Sequence, residues 1–123
     1  MDMIGLFRDA TNAISLPAGD TLFRKGDLSE VMYVILEGEL DVLAADRVVD
    51  TIGPGGLVGE MGLIGRQGRS ASAVARTDCK LVPIGERHFR YLVHLTPNFA
   101  FHLMEVMACR LRRYLESPVE STV

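Results

Sequence analysis

The residues best suited to binding chemistry lie in two short segments, separated by a glycine-bounded loop at residues 65–68. The first segment is Gly59-Glu60-Met61-Gly62-Leu63 and the second is Arg69-Ser70-Ala71. Gly59 allows a ligand to approach the backbone closely, and a helical turn beginning at Glu60 would direct unpaired amide groups at an anion. Arg69 adds a planar two-pronged donor for the same anion. The pattern therefore predicts a phosphate site.

The carboxyl group of Glu60 restricts which phosphate would fit. A carboxylate beside a phosphate is repelled unless it has a hydrogen-bond donor of its own, and a ribose hydroxyl is such a donor. The pattern thus favours a ligand with one modest negative charge next to a sugar hydroxyl, with an apolar base beyond it. In the alternative interpretation, Glu60 and Arg69 form an ion pair that braces two loops, worth ~0 to 1 kcal/mol if exposed. The pattern by itself leaves both interpretations open.

Other site chemistries find little support in the sequence. The predicted strands hold no histidine, and no His-x-His or His-Glu-x-x-His motif occurs, so we predict no metal site. Cys79 and Cys109 lack metal-ligand spacing, which favours a reduced, cytosolic protein. No serine has a neighbouring histidine to activate it. We predict no catalytic residues and hence a protein that is not an enzyme.

A glycine pattern at residues 53–59 loosely resembles a dinucleotide-binding motif. The long helix that such a motif requires is missing, because the following residues, 60–65, are broken by glycine. A hairpin turn at residues 53–56 is the preferred interpretation.

Glycine and proline interrupt residues 11–84 every few positions, which excludes long helices there. The intervening runs are short and rich in β-branched and aromatic residues, as in antiparallel strands of a barrel or jelly roll. The predicted strands cover residues 32–36, 40–43, 48–49, 71–75 and 80–84.

Two helices are predicted to follow the sheets, over residues 86–95 and 98–116. Thr96-Pro97 supplies an N-cap and a first-turn proline for the second helix, and Ser117-Pro118 ends it. The apolar stripe of this helix is wider than one contact requires, so the helix either packs deeply on its own domain or also contacts a partner or ligand. We predict one domain over residues 1–117 and a frayed tail at 118–123.

Composition sets the broad class. The 123 residues are 48% hydrophobic, enough for one core, and 13 basic against 16 acidic side chains give a net charge of −3. This balance argues against a chain that grips nucleic acid. The apolar residues 1–7 are too few for a membrane span.

The ordered motifs resemble the cyclic-nucleotide-binding domain, the sensor module of catabolite activators, protein kinase A regulatory subunits and cyclic-nucleotide-gated channels. The matching motifs are Leu16-Pro17-Ala18-Gly19-Asp20, Phe23 with Lys25-Gly26-Asp27, residues 32–38, the turn at 53–56, residues 58–63 and residues 69–74. The resemblance implies a mainly β fold, an antiparallel jelly roll (double-stranded β-helix) followed by two C-terminal helices.

By this resemblance, residues 59–63 with Arg69 and Ser70 form a phosphate-binding cassette. Arg69 would hold the cyclic phosphate with help from Ser70 and nearby amides, and Glu60 would accept from the ribose 2′-hydroxyl. The base would pack on apolar strand residues and on the last helix. The ligand-binding residues implied are Val58, Gly59, Glu60, Met61, Arg69, Ser70, Ala71, Val42, Val49, Arg110 and Tyr114.

The expected function is a stand-alone or excised regulatory module for a cyclic purine mononucleotide, with cAMP favoured and cGMP possible. It would signal through movement of the C-terminal helix, to an unidentified protein effector or to a second copy through that helix. No DNA-binding segment or membrane span is expected, and the expected location is the cytoplasm. The alternative is a degenerate domain of this fold that binds proteins and no nucleotide.

Overall fold

The computed structural model describes residues 1–65 and 68–116, without the side chains of Met61, Tyr114 and Glu116. The chain consists of two compact units, Asp2–Phe89 and a second unit that begins at Arg90 and includes Met1. The elements in chain order are α1 (Met3–Phe7), β1 (Ile14–Leu16), β2 (Thr21–Phe23), β3 (Val31–Glu37), β4 (Leu40–Ala44), β5 (Arg47–Ile52), β6 (Leu57–Val58), α2 (Glu60–Gly65), β7 (Ser72–Ala75), β8 (Cys79–Gly85), α3 (Glu86–Leu95) and α4 (Pro97–Glu116).

The strands form two four-stranded antiparallel sheets. The strand order is β1-β8-β3-β6 in one sheet and β2-β7-β4-β5 in the other. Tyr33 of β3 pairs with Val58 of β6, which places the start of the cassette beside β3. The mainly β fold class with C-terminal helices is confirmed.

The core of the Asp2–Phe89 unit consists of apolar side chains contributed by both sheets. Buried positions alternate with less buried ones along β7 and the first half of β3, so one face of each of these segments turns inward. One cluster combines Ile35 and Leu81 from the first sheet with Leu40 and Ala73 from the second. Phe23 and Tyr33 pack against this cluster while remaining partly exposed. Site residues on these strands therefore rest on a packed support.

The turn at residues 53–56 is present, but it is not a hairpin. The Gly56 amide donates to the Gly53 carbonyl at 3.0 Å, as in a tight turn. However, β5 pairs with β4 and β6 pairs with β3, so the turn carries the chain from one sheet to the other. Hydrogen bonds between Ile35 and the turn, at 2.7 and 3.0 Å, fix it against β3.

Both predicted C-terminal helices are confirmed. Helix α3 has the predicted bounds, and α4 begins at Pro97, one residue before the predicted start at residue 98. Proline occupies the first position of α4 because its missing N–H has no helical acceptor to lose. Phe99 and Leu103 are buried, whereas a second apolar row on α4 is exposed. No helix in the described part of the chain has the length and apolarity of a membrane span. The predicted tail at 118–123 lies outside the described residues.

Candidate functional site

Gly59 connects β6 to α2 and lies directly against Arg69. Its φ of +82° is in the left-handed region, where side chains other than glycine are strained. A Cβ placed on Gly59 would lie 2.6 Å from Arg69 Nη1 and 3.5 Å from Phe23 Cε2. Both the backbone conformation and the close approach of the arginine therefore require glycine here.

The Arg69 side chain is buried, with only 5% of its surface exposed. Nη1 donates to the Gly59 carbonyl at 3.1 Å and Nη2 donates to the Val31 carbonyl at 2.7 Å. Among the described residues, Arg69 Nε has no hydrogen-bond partner. Two of the five guanidinium N–H groups are thus used on neutral carbonyls, and the group keeps donors to offer an anion.

Burial lowers the pKa of the Arg69 guanidinium, and the nearby Tyr33, Asp27 and Glu60 side chains oppose part of this shift. An arginine titrates so far above neutral pH that the group stays charged. A buried positive charge whose described hydrogen-bond partners are neutral is suited to an anionic ligand, because the low local dielectric strengthens the attraction.

The backbone of Arg69 is fixed by the loop between β2 and β3. The Arg69 amide donates to the Asp27 carbonyl and the Gly26 amide donates to the Arg69 carbonyl, both at 2.9 Å. One residue earlier in this loop, the Lys25 amide donates to Ser72 Oγ at 3.0 Å. This loop therefore holds the second cassette segment in register on both sides of the arginine.

Glu60 is the first residue of α2 and is 2% exposed. The alternative of an ion pair with Arg69 that braces the two loops would be a buried ion pair, since both side chains are buried. Removing a carboxylate from water is costly unless it is well partnered, and the charge of Glu60 acts on the nearby Arg69 guanidinium.

The structure brings several predicted site residues together. Gly59 and Glu60 follow the buried Val58 directly, and Arg69 returns to them through its hydrogen bond to Gly59. Ser70 is exposed and Ala71 is half-buried, immediately before β7. The side chain of Met61 lies outside the described residues.

The candidates for contacting a base have different surroundings. Val42 is half-buried and packs on the core cluster. Val49 lies where the β4–β5 register shifts, and its side chain is 55% exposed. Arg110 is half-buried on α4 in the second unit, and the Tyr114 side chain lies outside the described residues. The contacts of these residues with a ligand stay a prediction.

Sequence reasoning missed the aromatic surroundings of Arg69. The Arg69 Cζ lies 4.2 Å from the Phe23 ring centroid and 6.0 Å from that of Tyr33. Both aromatics lie within motifs that carried the family resemblance, but strand periodicity gives no sign of an arginine 46 or 36 residues away. The described residues also contain no cluster of His, Cys, Asp and Glu suited to a metal ion.

The chain is similar in sequence and fold to known proteins. The family model described as "Cyclic nucleotide-binding domain" matches residues 13–95. The cyclic AMP receptor protein of Thermus thermophilus is 34% identical over 101 residues, which cover 78% of this chain and 47% of that protein. The cAMP-dependent protein kinase regulatory subunit of Eremothecium gossypii is 36% identical over 86 residues, covering 70% of this chain and 19% of that protein.

A solved structure from work on a cyclic-GMP-dependent signalling pathway in bacterial phytopathogenesis is also similar. Its TM-score is 0.71 at 30% identity, with 82% of this chain and 84% of that chain covered. The chain spans about half the length of the receptor protein and about a fifth of the kinase subunit.

Proposed function

Since the chain belongs to the cyclic nucleotide-binding domain family, we propose that it binds a cyclic purine mononucleotide, cAMP in preference to cGMP, and acts as a regulatory module rather than an enzyme. The observation that carries this proposal is the buried Arg69 guanidinium, held on two neutral carbonyls beside the buried Glu60. This arrangement suits a ligand with one negative charge and a neighbouring hydroxyl group.

In the proposed complex, Arg69 binds the cyclic phosphate, with Ser70 and nearby amides assisting, and Glu60 accepts from the ribose 2′-hydroxyl. In this arrangement the phosphate meets the Arg69 cation, and the Glu60 carboxylate accepts a charge-assisted hydrogen bond from the hydroxyl group. The base would reach Val42 or Val49, which are the partly exposed apolar side chains proposed for it on β4 and β5.

The preference for cAMP is the finer part of the proposal. It is supported by the relatives named as a cyclic AMP receptor protein and a cAMP-dependent kinase subunit. The structure from the cyclic-GMP-dependent pathway favours cGMP as the second candidate. Neither Val42 nor Val49 offers a polar group that would select guanine.

Calorimetric titration with four ligands tests the proposal. We expect cAMP to bind more tightly than cGMP, and both to bind more tightly than 2′-deoxy-cAMP and 5′-AMP. Losing the 2′-hydroxyl leaves the buried Glu60 without its proposed donor, for which we expect a 10- to 100-fold weaker affinity, about 1–3 kcal/mol. Absence of binding to both cyclic nucleotides would favour the alternative, a degenerate domain that binds proteins. Conversion of cAMP to 5′-AMP by the protein would contradict the non-enzymatic assignment.

The proposed output is the exposed apolar row on α4. Its members recur at alternating spacings of three and four residues, and they are Phe101, Met104, Ala108, Leu111 and Leu115. This spacing is that of the a and d positions in a two-stranded coiled coil. A second copy of the chain, with the same row, is therefore the proposed occupant of this surface, and movement of α4 would carry the ligand signal to it.

The substitution Leu111→Asp tests this interface. A charge within the row should raise the dissociation constant for self-association at least 100-fold, because an unpaired carboxylate would be buried between two helices. Cys109→Ser, at an exposed position two residues earlier, is the matched control and should self-associate normally. Sedimentation velocity with and without cAMP measures both. A wild-type chain that is monomeric in both conditions contradicts the dimer.

A further inference from the structure

Arg69 lies on two aromatic side chains that come from different sheets. Phe23 ends β2 and Tyr33 lies in β3, and their rings are nearly parallel, with centroids 6.4 Å apart and planes at 25°. We call this pair the aromatic shelf. The Cζ atom of Arg69 lies 4.2 Å from the Phe23 centroid, well within the range of a cation–π contact, and 6.0 Å from that of Tyr33, at its limit.

The shelf supplies a constraint that the hydrogen bonds of Arg69 do not. The bonds to Gly59 and Val31 fix Nη1 and Nη2, and two fixed points define a line. The planar guanidinium can still rock about that line, which would swing Nε through an arc. The Phe23 ring, 4.2 Å from Arg69 Cζ, restricts this motion.

The nitrogen positioned in this way is Nε, which has no hydrogen-bond partner among the described residues. It belongs to a side chain that is only 5% exposed. A buried N–H donor without a partner is costly, and a ligand oxygen would satisfy it.

We propose that Phe23, supported by Tyr33, is a positioning residue that orients Arg69 so that its Nε–H donates to an exocyclic oxygen of the cyclic phosphate. The inference rests on the proposed function and goes beyond it by assigning the orientation of the arginine to the aromatic shelf. Phe23 itself need not touch the ligand. Burial raises the pKa of Tyr33, so its ring remains a neutral phenol under Arg69.

Phe23 also packs on the core cluster, so a loss of affinity by itself would not separate positioning from packing. Phe23→Leu keeps an apolar side chain and removes the aromatic face, whereas Phe23→Tyr keeps the face. The ligands are cAMP and its two diastereomeric phosphorothioates, in which sulfur replaces one or the other exocyclic oxygen. The ratio of the two phosphorothioate affinities reports which oxygen the arginine contacts.

We expect the wild type to discriminate between the diastereomers by about tenfold or more, since a charge-assisted hydrogen bond to oxygen is lost with one of them. Phe23→Leu should bind cAMP about tenfold more weakly and lose most of this discrimination, and Phe23→Tyr should retain both properties. A Leu variant that binds all three ligands equally more weakly, with the ratio unchanged, would overturn the positioning role.

A second measurement does not depend on ligand. Because Arg69 Cζ lies 4.2 Å from the Phe23 centroid, the ring current acts on the guanidinium protons, so the Arg69 Nε–H resonance of the ligand-free protein should shift in Phe23→Leu and stay in place in Phe23→Tyr. An unchanged resonance in the Leu variant would also overturn the proposal. If the wild type binds no cyclic nucleotide, the proposed function fails and the phosphate-directed role fails with it. If the wild type binds cAMP and the ratio of the two phosphorothioate affinities is unchanged in Phe23→Leu, only the positioning role of Phe23 is contradicted.

Discussion

The Arg69→Ala variant should bind cyclic nucleotide about 30- to 5,000-fold more weakly than the wild type, a loss of ~2 to 5 kcal/mol in binding free energy. The change removes the buried cation proposed to hold the phosphate and leaves the buried Glu60 facing an anion. Calorimetry with cAMP measures the loss. Affinity within threefold of the wild type would show that the phosphate is held elsewhere.

Arg24→Ala is the matched control for this variant. Arg24 is exposed in the loop that contacts Arg69, so its removal changes the net charge by the same amount near the same site. We expect its affinity for cAMP to stay within about threefold of the wild type, since an exposed charge is screened by solvent and salt.

Arg69→Ala should also lower the stability of the protein. The substitution removes the part-buried hydrogen bonds from the guanidinium to the Gly59 and Val31 carbonyls, and a hydrogen bond to a charged group contributes about 1.5–3 kcal/mol. The sequence does not reveal this second role. Thermal unfolding should therefore accompany the titration, and we expect a single transition at a lower temperature.

Among the variants, Gly59→Ala has the second-largest expected effect on nucleotide affinity. Its Cβ would meet Arg69 Nη1 at 2.6 Å, and its φ of +82° is strained for alanine. We expect the free energy of unfolding to fall by about 1–2 kcal/mol, from the left-handed backbone alone. Because the arginine must also move, we expect affinity for cAMP to fall about 10- to 100-fold.

Gly19→Ala separates these two effects. Gly19 has a similar φ of +89°, but a Cβ there would meet nothing within 4 Å. This control should lose a similar amount of stability and bind cAMP normally. If both variants bind with wild-type affinity, close approach to Arg69 is not what requires glycine at position 59.

The elements that could be predicted are those whose signals are local. Helix α3 was predicted over its full length because Glu86–Leu95 contains neither glycine nor proline and follows a strand. The missed strands are β1, β2 and β6, which have three, three and two residues. Such strands are too short for a period-two pattern, and they are defined by partners distant in sequence, such as Lys80 for Ser15.

The candidate site divides in the same way. The types and order of Gly59, Glu60 and Arg69 are visible in the sequence and support an anion site. The partners of Arg69 are not visible, because Val31 lies 38 residues away and is contacted through its carbonyl, which every residue possesses. The contact of Arg69 with Phe23 is not visible in the sequence either, since only the fold brings the Phe23 ring close to the guanidinium.

The loop between β2 and β3 provides a surface position at which ligand binding to the buried site could be monitored. Its Gly26 and Asp27 are hydrogen-bonded to the backbone of Arg69, and the next side chain, Leu28, is 86% exposed. An environment-sensitive dye on a cysteine at position 28 would be one residue from those hydrogen bonds without entering the site. Replacing the exposed Cys109 by serine would leave the buried Cys79 as the only other thiol, so labelling would be selective. The fold thus offers an attachment point for a fluorescent reporter of nucleotide concentration.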